Sequence, residues 1–305
     1  MNRLRIGRKG TTEPGDQGAR DSALKSWSSE TLGPFEKALE ACFPASNRTL
    51  VNKACRYALF PGGKRIRPFL CISAFRACGG RRDSDVMPFA CAIELIHNFS
   101  LVQDDLPCMD DDRERRGKPT LHVVFGGALA LLAADALFAR AFELCTRSTA
   151  GASGIVAATR ELAQVAGADG IVAGQVRDLR LGKDSKSSSP RLLRETIRCK
   201  TAGFFGASLA IGATAARAKP RVIEALRRAG TDLGMLFQLA DDLLDAKHET
   251  TGMSSVEVRG RRETTRDAAN YLRRFERGIG ACGRQVRPEY AAALLATGRR
   301  VLRRT

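Results

Sequence analysis

The feature of this sequence that most constrains its fold is a helical spacing of apolar residues along nearly the whole chain. Apolar side chains recur at three- and four-residue intervals, and no alternating β-type stretch of comparable length occurs. The spacing is clearest over residues 90–102, 128–144, 191–210 and 221–244. The sequence therefore predicts an all-α fold.

Short clusters of Gly and Pro interrupt this helical spacing. They lie at 61–63, 79–80, 182–190 and 219–220, and such clusters are typical of turns between helices. We therefore predict a single helical domain over 31–305. Residues 1–30 are basic and contain no apolar core that a secretory pathway could recognise. We expect a flexible basic tail there.

Cysteine usage and the length of apolar runs bear on where the protein works. The nine cysteines are scattered singly without a CxxC pair, and an odd number argues against a disulfide framework. We interpret them as small core residues and expect a cytoplasmic location. The longest uncharged stretch in the middle of the chain, 201–216, falls short of the roughly 20 apolar residues that a membrane span needs. We therefore expect no stable membrane insertion.

A formal net charge of +17 raises the question of nucleic-acid binding, because excess Lys and Arg is the electrostatic signature of phosphate recognition. The distribution of charge weakens that interpretation. From Thr251 onward the chain has 13 Arg against five acidic residues, but few aromatic side chains that could stack on bases. A solvated basic face and an enzyme with polyanionic substrates are the other interpretations. The motifs favour the enzyme, so we expect no nucleic-acid partner.

An acidic pattern that occurs twice is the most informative motif. The first copy, over 101–112, reads LVQDDLPCMDDD, and the second, over 237–245, reads FQLADDLLD. Each copy places a pair of carboxylates at the end of an apolar helix. Asp241 and Asp245 are four residues apart and so share one helix face. Asp104 and Asp110 can converge only if the helix bends or ends between them.

Clustered carboxylates repel one another, so a cation must compensate them. Magnesium takes oxygen ligands and is typically shared between one or two carboxylates and the phosphates of a substrate. Two acidic clusters that face each other across a helical bundle could therefore grip one diphosphate through several ions. Helix caps or solvated acidic turns would explain one copy more easily than two.

Several motifs together resemble a known family, the trans-prenyl diphosphate synthases. The segment 94–126 and the segment FQLADDLLD resemble its two aspartate-rich regions. The other markers are the GGKRIRP segment at 62–68, Gly174-Gln175 with Asp178-Leu179, and Lys200-Thr201-Ala202. The resemblance runs from about Leu32 to Thr250. It implies a single-domain isoprenoid-synthase helical bundle around a central cavity.

Basic and polar residues at these markers can serve two diphosphates. Lys64 and Arg67, with His97 two helical turns before the first acidic cluster, supply donors for a diphosphate that carries no metal. By resemblance this diphosphate is isopentenyl diphosphate, and Arg116 also contacts it. The resemblance assigns the following residues to the allylic diphosphate: Arg115, Lys200, Thr201 and Gln238. Gln175 is a further expected substrate-binding residue.

The resemblance also implies the metal and catalytic residues. The expected cofactor is Mg²⁺, as several ions, with these ligands: Asp104, Asp105, Asp110 and Asp241. Metal ions neutralise the leaving diphosphate, so that an allylic carbocation forms and the alkene of isopentenyl diphosphate attacks it. Lys200, Thr201 and Gln238 complete the catalytic set with Asp104, Asp105 and Asp241. The departing pyrophosphate is the family's usual base, and the family is typically a homodimer.

Phe99 bears on the length of the product. In the family, the residue five positions before the first acidic cluster tends to form the floor of an apolar tunnel. Here Phe99 has that position and Ser100 follows it. A bulky floor favours a farnesyl (C15) product, whereas the sequence of the first motif also resembles that of geranylgeranyl (C20) synthases. The allylic substrates would be dimethylallyl, geranyl and, for C20, farnesyl diphosphate. Alternatively, Phe99 is ordinary core packing.

The segment after the second motif departs from the family. Met253 stands where a lysine is expected, and a Gly-Lys-Asp element is missing. Arg259, Arg261 and Arg262 could substitute electrostatically, although a guanidinium is not equivalent to an ammonium group. Two other functions therefore stay open: a catalytically weak regulatory or partner subunit, and a class I terpene cyclase. Intact acidic clusters argue against the subunit, and a second diphosphate site argues against the cyclase.

Overall fold

The computed structural model describes residues 30–183, 189–246 and 254–303, and these ranges are mostly helical. The all-α prediction is therefore confirmed. Apart from Glu30, which is already helical, the predicted N-terminal tail lies outside the described residues. The helices are α1 over 30–42, α2 Leu50–Leu59, α3 Ile66–Ala77, α4 Asp83–Asp104, α5 Leu121–Phe125, α6 Gly127–Thr146, α7 Ala152–Ala166, α8 Ile171–Lys183, α9 Pro190–Ile197, α10 Gly203–Ala215, α11 Pro220–Asp245, α12 Ser255–Arg259, α13 Arg261–Ala281 and α14 Pro288–Leu302.

Two large apolar cores, with a small third one that packs α9 against α8 and α11, hold these helices together. The first lies around α4 and joins it to α1, α2, α6 and α7. The second joins α10 and α11 to α13 and α14. Helices α3 and α10 contribute side chains to both cores, which makes the described helices one bundle. Both α4 and α10 are apolar on nearly all sides, as expected for helices that are surrounded by others.

Helix α4 is also long and apolar enough, by length and composition, to cross a membrane. However, 72% of its apolar window is buried inside the protein. The apolar character of α4 is therefore that of a core helix, and its carboxyl end delivers the first acidic motif.

The contact between α10 and α3 depends on a glycine. A Cβ atom at Gly212 would lie 2.0 Å from the carbonyl oxygen of Cys71, which is far inside van der Waals contact. Only a residue without a side chain permits the two backbones to approach this closely. This approach brings the two cores together.

A short hairpin follows the first acidic motif. Strand β1 (Glu114–Arg115) pairs antiparallel with β2 (Lys118–Pro119), and Arg115 lies opposite Lys118. Arg116 and Gly117 form the two-residue turn with φ angles of 57° and 76°. Positive φ at both positions is typical of the tightest β-hairpin turns. Arginine rarely adopts this conformation. The tight turn fixes the backbone of Arg116 and so the point from which its side chain extends.

A buried ion network anchors the start of α3. Arg65 is 4% exposed, and its Nη1 atom lies 2.6 Å from Oε1 of Glu94, itself 2% exposed, on α4. It also donates to Glu36 at 2.8 Å and to the carbonyl oxygen of Leu59 at 2.8 Å. The arginine of the GGKRIRP segment that sits between Lys64 and Arg67 is thus engaged inside the protein. The contacts of Arg65 hold the segment that carries Lys64 and Arg67.

Candidate active site

The first acidic motif forms where α4 ends. Asp104 is the last residue of the helix, and the chain then turns back, so that the N–H of Asp110 donates to the carbonyl oxygen of Asp104 at 3.0 Å. Burial raises the pKa of the Asp104 carboxyl to about 6, and Asp110 adds to this rise while Lys200 opposes it. Burial also raises the pKa of Asp110. The predicted convergence of Asp104 and Asp110 therefore occurs.

Asp105 has a different environment from its neighbour. It is 4% exposed, and its Oδ1 atom accepts from Nε of Arg115 at 2.6 Å. Arg115 also donates to Oδ2 of Asp112 at 2.8 Å. Two carboxylates therefore fix the Arg115 guanidinium beside the first motif.

Lys200 joins this acidic cluster from another part of the chain. Its Nζ atom lies 2.6 Å from Oδ2 of Asp178 on α8 and 3.7 Å from Oδ2 of Asp104. Burial opposes the charge of Lys200, but Asp104 and Asp178 raise its pKa above the ordinary value. Asp178 had been named from the sequence only as a motif residue without a role. Its position one helical turn after Gln175, on the same face of α8, was the available signal.

The backbone around Lys200 explains how it reaches the cluster. Residues Arg198–Ala202 form one turn of π-helix between α9 and α10. A Cβ atom at Gly174 on α8 would lie 2.4 Å from the backbone nitrogen of Lys200. The glycine of the Gly-Gln marker therefore lets α8 press against this turn. The amide of Gln175, also predicted at the site, is buried there without a partner among the described residues.

The second acidic motif meets the same turn from α11. The Thr201 hydroxyl donates to Oε1 of Gln238 at 3.2 Å, and Nε2 of Gln238 donates to Oδ1 of Asp242 at 3.0 Å. The other oxygen of Asp242 accepts from the N–H of Ser255 at 2.9 Å. Asp242 is thus a buried carboxylate that holds α11 to the start of α12, whereas Asp241 faces a cavity.

That cavity has a volume of about 540 Å³ and is rich in cationic side chains. Its lining includes Lys64, Arg67, His97, Arg116 and Asp241. The predicted metal-free diphosphate residues are therefore brought together. A Cβ atom at Gly63 would lie 2.7 Å from the guanidinium carbon of Arg116, so the second glycine of the GGKRIRP segment makes room for that side chain.

The charges in the cavity favour an anion. Burial and the nearby Arg67 and Arg116 hold the pKa of His97 well below its ordinary value, so the ring is neutral near pH 7. Arg67 Nη1 lies 3.4 Å from Nε2 of His97. Burial lowers the pKa of Arg67 to about 10, which leaves it charged near pH 7. Its Nε atom is buried without a partner among the described residues, so Arg67 has a donor to spare for a ligand.

The structure brings only some of the predicted metal ligands close to one another. Asp104 and Asp110 lie together, and Asp241 lies on the cationic cavity. Within residues 30–183, 189–246 and 254–303, no three His, Cys, Asp or Glu side chains cluster closely enough to hold an ion. Any metal bound here would therefore need further ligands, which is typical of magnesium shared with a substrate diphosphate.

The chain-length residues lie away from the charged groups. Phe99 is 6% exposed, and its ring centroid lies 4.9 Å from that of Phe138 on α6. Phe138 in turn contacts Phe142 at 5.0 Å. The Ser100 hydroxyl donates to the carbonyl oxygen of His97 at 2.9 Å. Phe99 therefore closes an aromatic cluster between α4 and α6, less than two helical turns from Asp104.

Most of the arginines proposed to replace missing lysines are engaged elsewhere. Arg259 pairs with Asp267 and lies 3.2 Å from Glu263. Nη1 of Arg261 donates to the carbonyl oxygen of Leu243 at 3.2 Å, at the end of α11. Arg262 is exposed on α13, and Met253 lies outside the described residues.

Comparisons with known proteins place this geometry in a family. Residues 48–255 match the family described as polyprenyl synthetase. A chloroplastic geranylgeranyl pyrophosphate synthase of Capsicum annuum is 42% identical over 225 residues, which cover 73% of this chain and 60% of that protein. Large subunit 1 of a chloroplastic heterodimeric geranylgeranyl pyrophosphate synthase of Arabidopsis thaliana is 44% identical over 214 residues, which cover 68% of this chain and 57% of that protein.

A solved structure agrees with these sequence matches. The FPP/GFPP synthase from Zymomonas mobilis superposes with a TM-score of 0.83 at 29% identity, over 92% of this chain and 98% of that one. This likeness confirms the isoprenoid-synthase bundle, and the family match over residues 48–255 includes both acidic motifs. This chain spans only about three fifths of the length of the two plant relatives, 60% and 57%. The family match over residues 48–255 and these identities show that the chain belongs to the polyprenyl synthetase family.

Proposed function

We propose that this chain is a magnesium-dependent prenyl diphosphate synthase. It condenses isopentenyl diphosphate with an allylic diphosphate and releases pyrophosphate. The observation that carries the proposal is a pair of adjoining candidate diphosphate sites with different chemistry. One clusters the carboxylates of Asp104 and Asp110 around Lys200, and the other gathers Lys64, Arg67 and Arg116 beside Asp241. A class I terpene cyclase would have no use for the second site.

The acidic side fits magnesium by its donor chemistry. Its donors are carboxylate oxygens, which this hard cation prefers. The raised pKa values of Asp104 and Asp110 report a site where burial and neighbouring carboxylates penalise negative charge, and a divalent cation would compensate that penalty. We assign these two residues and Asp241 as ligands. Asp105 has the same predicted role, although its Oδ1 atom already accepts from Arg115.

The residues of the allylic side hold and neutralise the leaving diphosphate. When bound, magnesium supplies Lewis-acid neutralisation of that group. Lys200 and Arg115 place two fixed positive charges at the edge of the carboxylate cluster. Thr201 and Gln238 form a hydrogen-bonded pair beside Lys200, so their polar atoms are oriented before substrate enters. Such preorganised groups stabilise charge that develops during ionisation.

The metal-free side holds the second substrate. Lys64 and Arg67 offer donors to a diphosphate, and neutral His97 accepts from Arg67 and so orients it. The Arg67 guanidinium carbon lies 4.7 Å from the ring centroid of Phe205, which further fixes this side chain. The guanidinium is thus positioned before the ligand arrives.

An exposed apolar face supports self-association. Val123, Val124, Leu131 and Leu132 on α5 and α6 are 39%, 47%, 46% and 58% exposed. Apolar surface gathered in this way marks a protein interface. We propose that it joins two copies into a homodimer. The Arabidopsis relative is described as heterodimeric, so a related chain is the alternative partner. Sedimentation of the pure protein as a monomer would contradict the homodimer.

Cellular location and other partners remain proposals from the sequence. We keep the cytoplasm as the proposed location, because the scattered single cysteines suit a reducing compartment. The names of both plant relatives contain the word chloroplastic, which describes those proteins. Microscopy of the tagged chain in its native cells tests the proposal. We propose neither a nucleic-acid partner nor stable membrane insertion.

The acidic cluster is the first test of this function. Purified protein with magnesium, isopentenyl diphosphate and labelled allylic diphosphates should form longer prenyl diphosphates. Asp104→Asn should lower kcat by about a thousandfold, because several kcal/mol of charge stabilisation disappear. Asp111→Asn is the matched control, since Asp111 lies in the same loop and is 63% exposed. The proposal fails if both variants keep parental turnover, or if the parent forms no product.

The two diphosphate sites should respond to separate substitutions. Lys64→Gln should raise the KM for isopentenyl diphosphate by roughly 10- to 100-fold, the value of one charge-assisted hydrogen bond. Lys200→Gln should instead raise the KM for the allylic substrate and lower kcat, because Lys200 belongs to the acidic cluster. Steady-state kinetics with each substrate varied in turn measures both effects. Equal effects on the two KM values would refute this division.

Phe99 should control product length if the chain grows toward α6. We propose a C15 or C20 product. The bulky Phe99 favours C15, and the geranylgeranyl names of the plant relatives support C20. Phe99→Ala should lengthen the product, because removing the ring opens space beside Phe138. Chromatography of dephosphorylated products gives the chain length, with Phe142→Ala as the control farther from α4. An unchanged product at normal activity would show that Phe99 is ordinary core packing.

A further inference from the structure

Helix α13 carries a row of arginines on the face that it turns to solvent. Arg262, Arg266, Arg273 and Arg277 are all exposed. At 3.6 residues per turn, their spacings place them within a sector of about 60° and along about 22 Å of the helix. The only other residue of α13 in this sector is Gly280. We call these four residues the arginine stripe.

The stripe keeps most of its positive charge because nearby carboxylates pair with other arginines. Glu276 accepts from Arg299 at 2.7 Å, and Asp232 lies 2.9 Å from Arg274. Asp267 pairs with Arg259. Within the stripe, Arg266 lies 4.0 Å from Glu263, which is the limit of an ion pair, and Arg273 donates to the amide oxygen of Asn270.

The stripe begins next to the active site. Arg261, the residue before it, donates to the carbonyl oxygen of Leu243 at the end of α11, two residues after Asp241. Asp242 accepts from the backbone N–H of Ser255, the first residue of α12, which directly precedes α13. The amino end of the stripe is thus tied to the second acidic motif, and the stripe runs away from it along the outer surface.

We propose that the arginine stripe docks this protein on the surface of a membrane that contains anionic phospholipids. A straight row of four guanidinium groups complements a flat surface that presents phosphates along its whole length. The phosphates of a nucleic-acid duplex instead follow a helical path away from such a row. The stripe contains no aromatic side chain to stack on bases and no apolar side chain to insert. Binding is therefore peripheral and electrostatic.

Vesicle sedimentation without substrates tests this docking independently of the proposed catalysis. The full chain should bind phosphatidylcholine vesicles that contain phosphatidylglycerol, should not bind phosphatidylcholine alone, and should dissociate as salt is added. The triple variant R266Q/R273Q/R277Q should bind roughly a hundredfold more weakly, since each basic residue contributes about fivefold. The matched control R48Q/R81Q/R191Q removes the same charge from three other exposed sites and should bind like the parent.

Each alternative gives a distinct result. Equal losses in the stripe and control variants would show that net charge alone acts, and absence of binding to the anionic vesicles would also overturn the proposal. Tighter binding to duplex DNA than to anionic vesicles, lost in the stripe variant, would identify a nucleic-acid surface instead. Circular dichroism checks that the triple variant is folded, and R273Q alone, with an expected fivefold loss, serves if it is not. Condensation of soluble substrates without lipid should be unchanged in the stripe variant.

Discussion

The turn Arg198–Ala202 is the element on which the candidate site depends. It is a single turn of π-helix, a conformation that is rare and occurs mostly at functional sites. Gly174 lets α8 approach its backbone, and on the other side a Cβ atom at Gly234 of α11 would lie 2.5 Å from Cα of Ala202. Two helices therefore clamp the turn. Consecutive residues of the turn then serve different parts of the site, since Lys200 reaches Asp104 and Asp178 while Thr201 binds Gln238.

The charged groups around this turn distinguish the two adjoining candidate diphosphate sites. Asp104 and Asp110 gather around Lys200, whose ammonium group offsets part of their repulsion. Asp241 belongs to the other side, where burial together with Arg67 and Arg116 keeps His97 neutral. One site is therefore rich in carboxylates and suited to a metal, and the other is rich in cations and suited to a bare diphosphate. A reaction between two diphosphates needs such a difference, because identical sites could not distinguish the substrates.

Sequence alone was sufficient for the helical fold, because periodicity determines it, and local motifs named residues that the structure brings together at the two candidate sites. It could not give pairings that depend on how helices pack. Asp178 is 22 residues from Lys200, and their contact requires the approach of α8 at Gly174. Asp104 and Asp105 are adjacent, yet one joins the acidic cluster and the other pairs with Arg115. Successive residues on a helix differ by about 100° in direction, so adjacent carboxylates point to different sides. Which partner each one meets depends on how the surrounding elements pack.

The basic residues that give the chain its large positive charge occupy three kinds of position. Lys64, Arg67 and Arg116 serve the candidate site. Arg65 is engaged in a buried network with Glu94 and Glu36, which gives its charge fixed partners inside the protein. The C-terminal arginines divide again, since Arg259 and Arg261 brace the end of α11 and the start of α13, whereas the stripe residues face solvent. Net charge therefore says little about partners until each cation is located, because only those without a fixed internal partner create a field outside the protein.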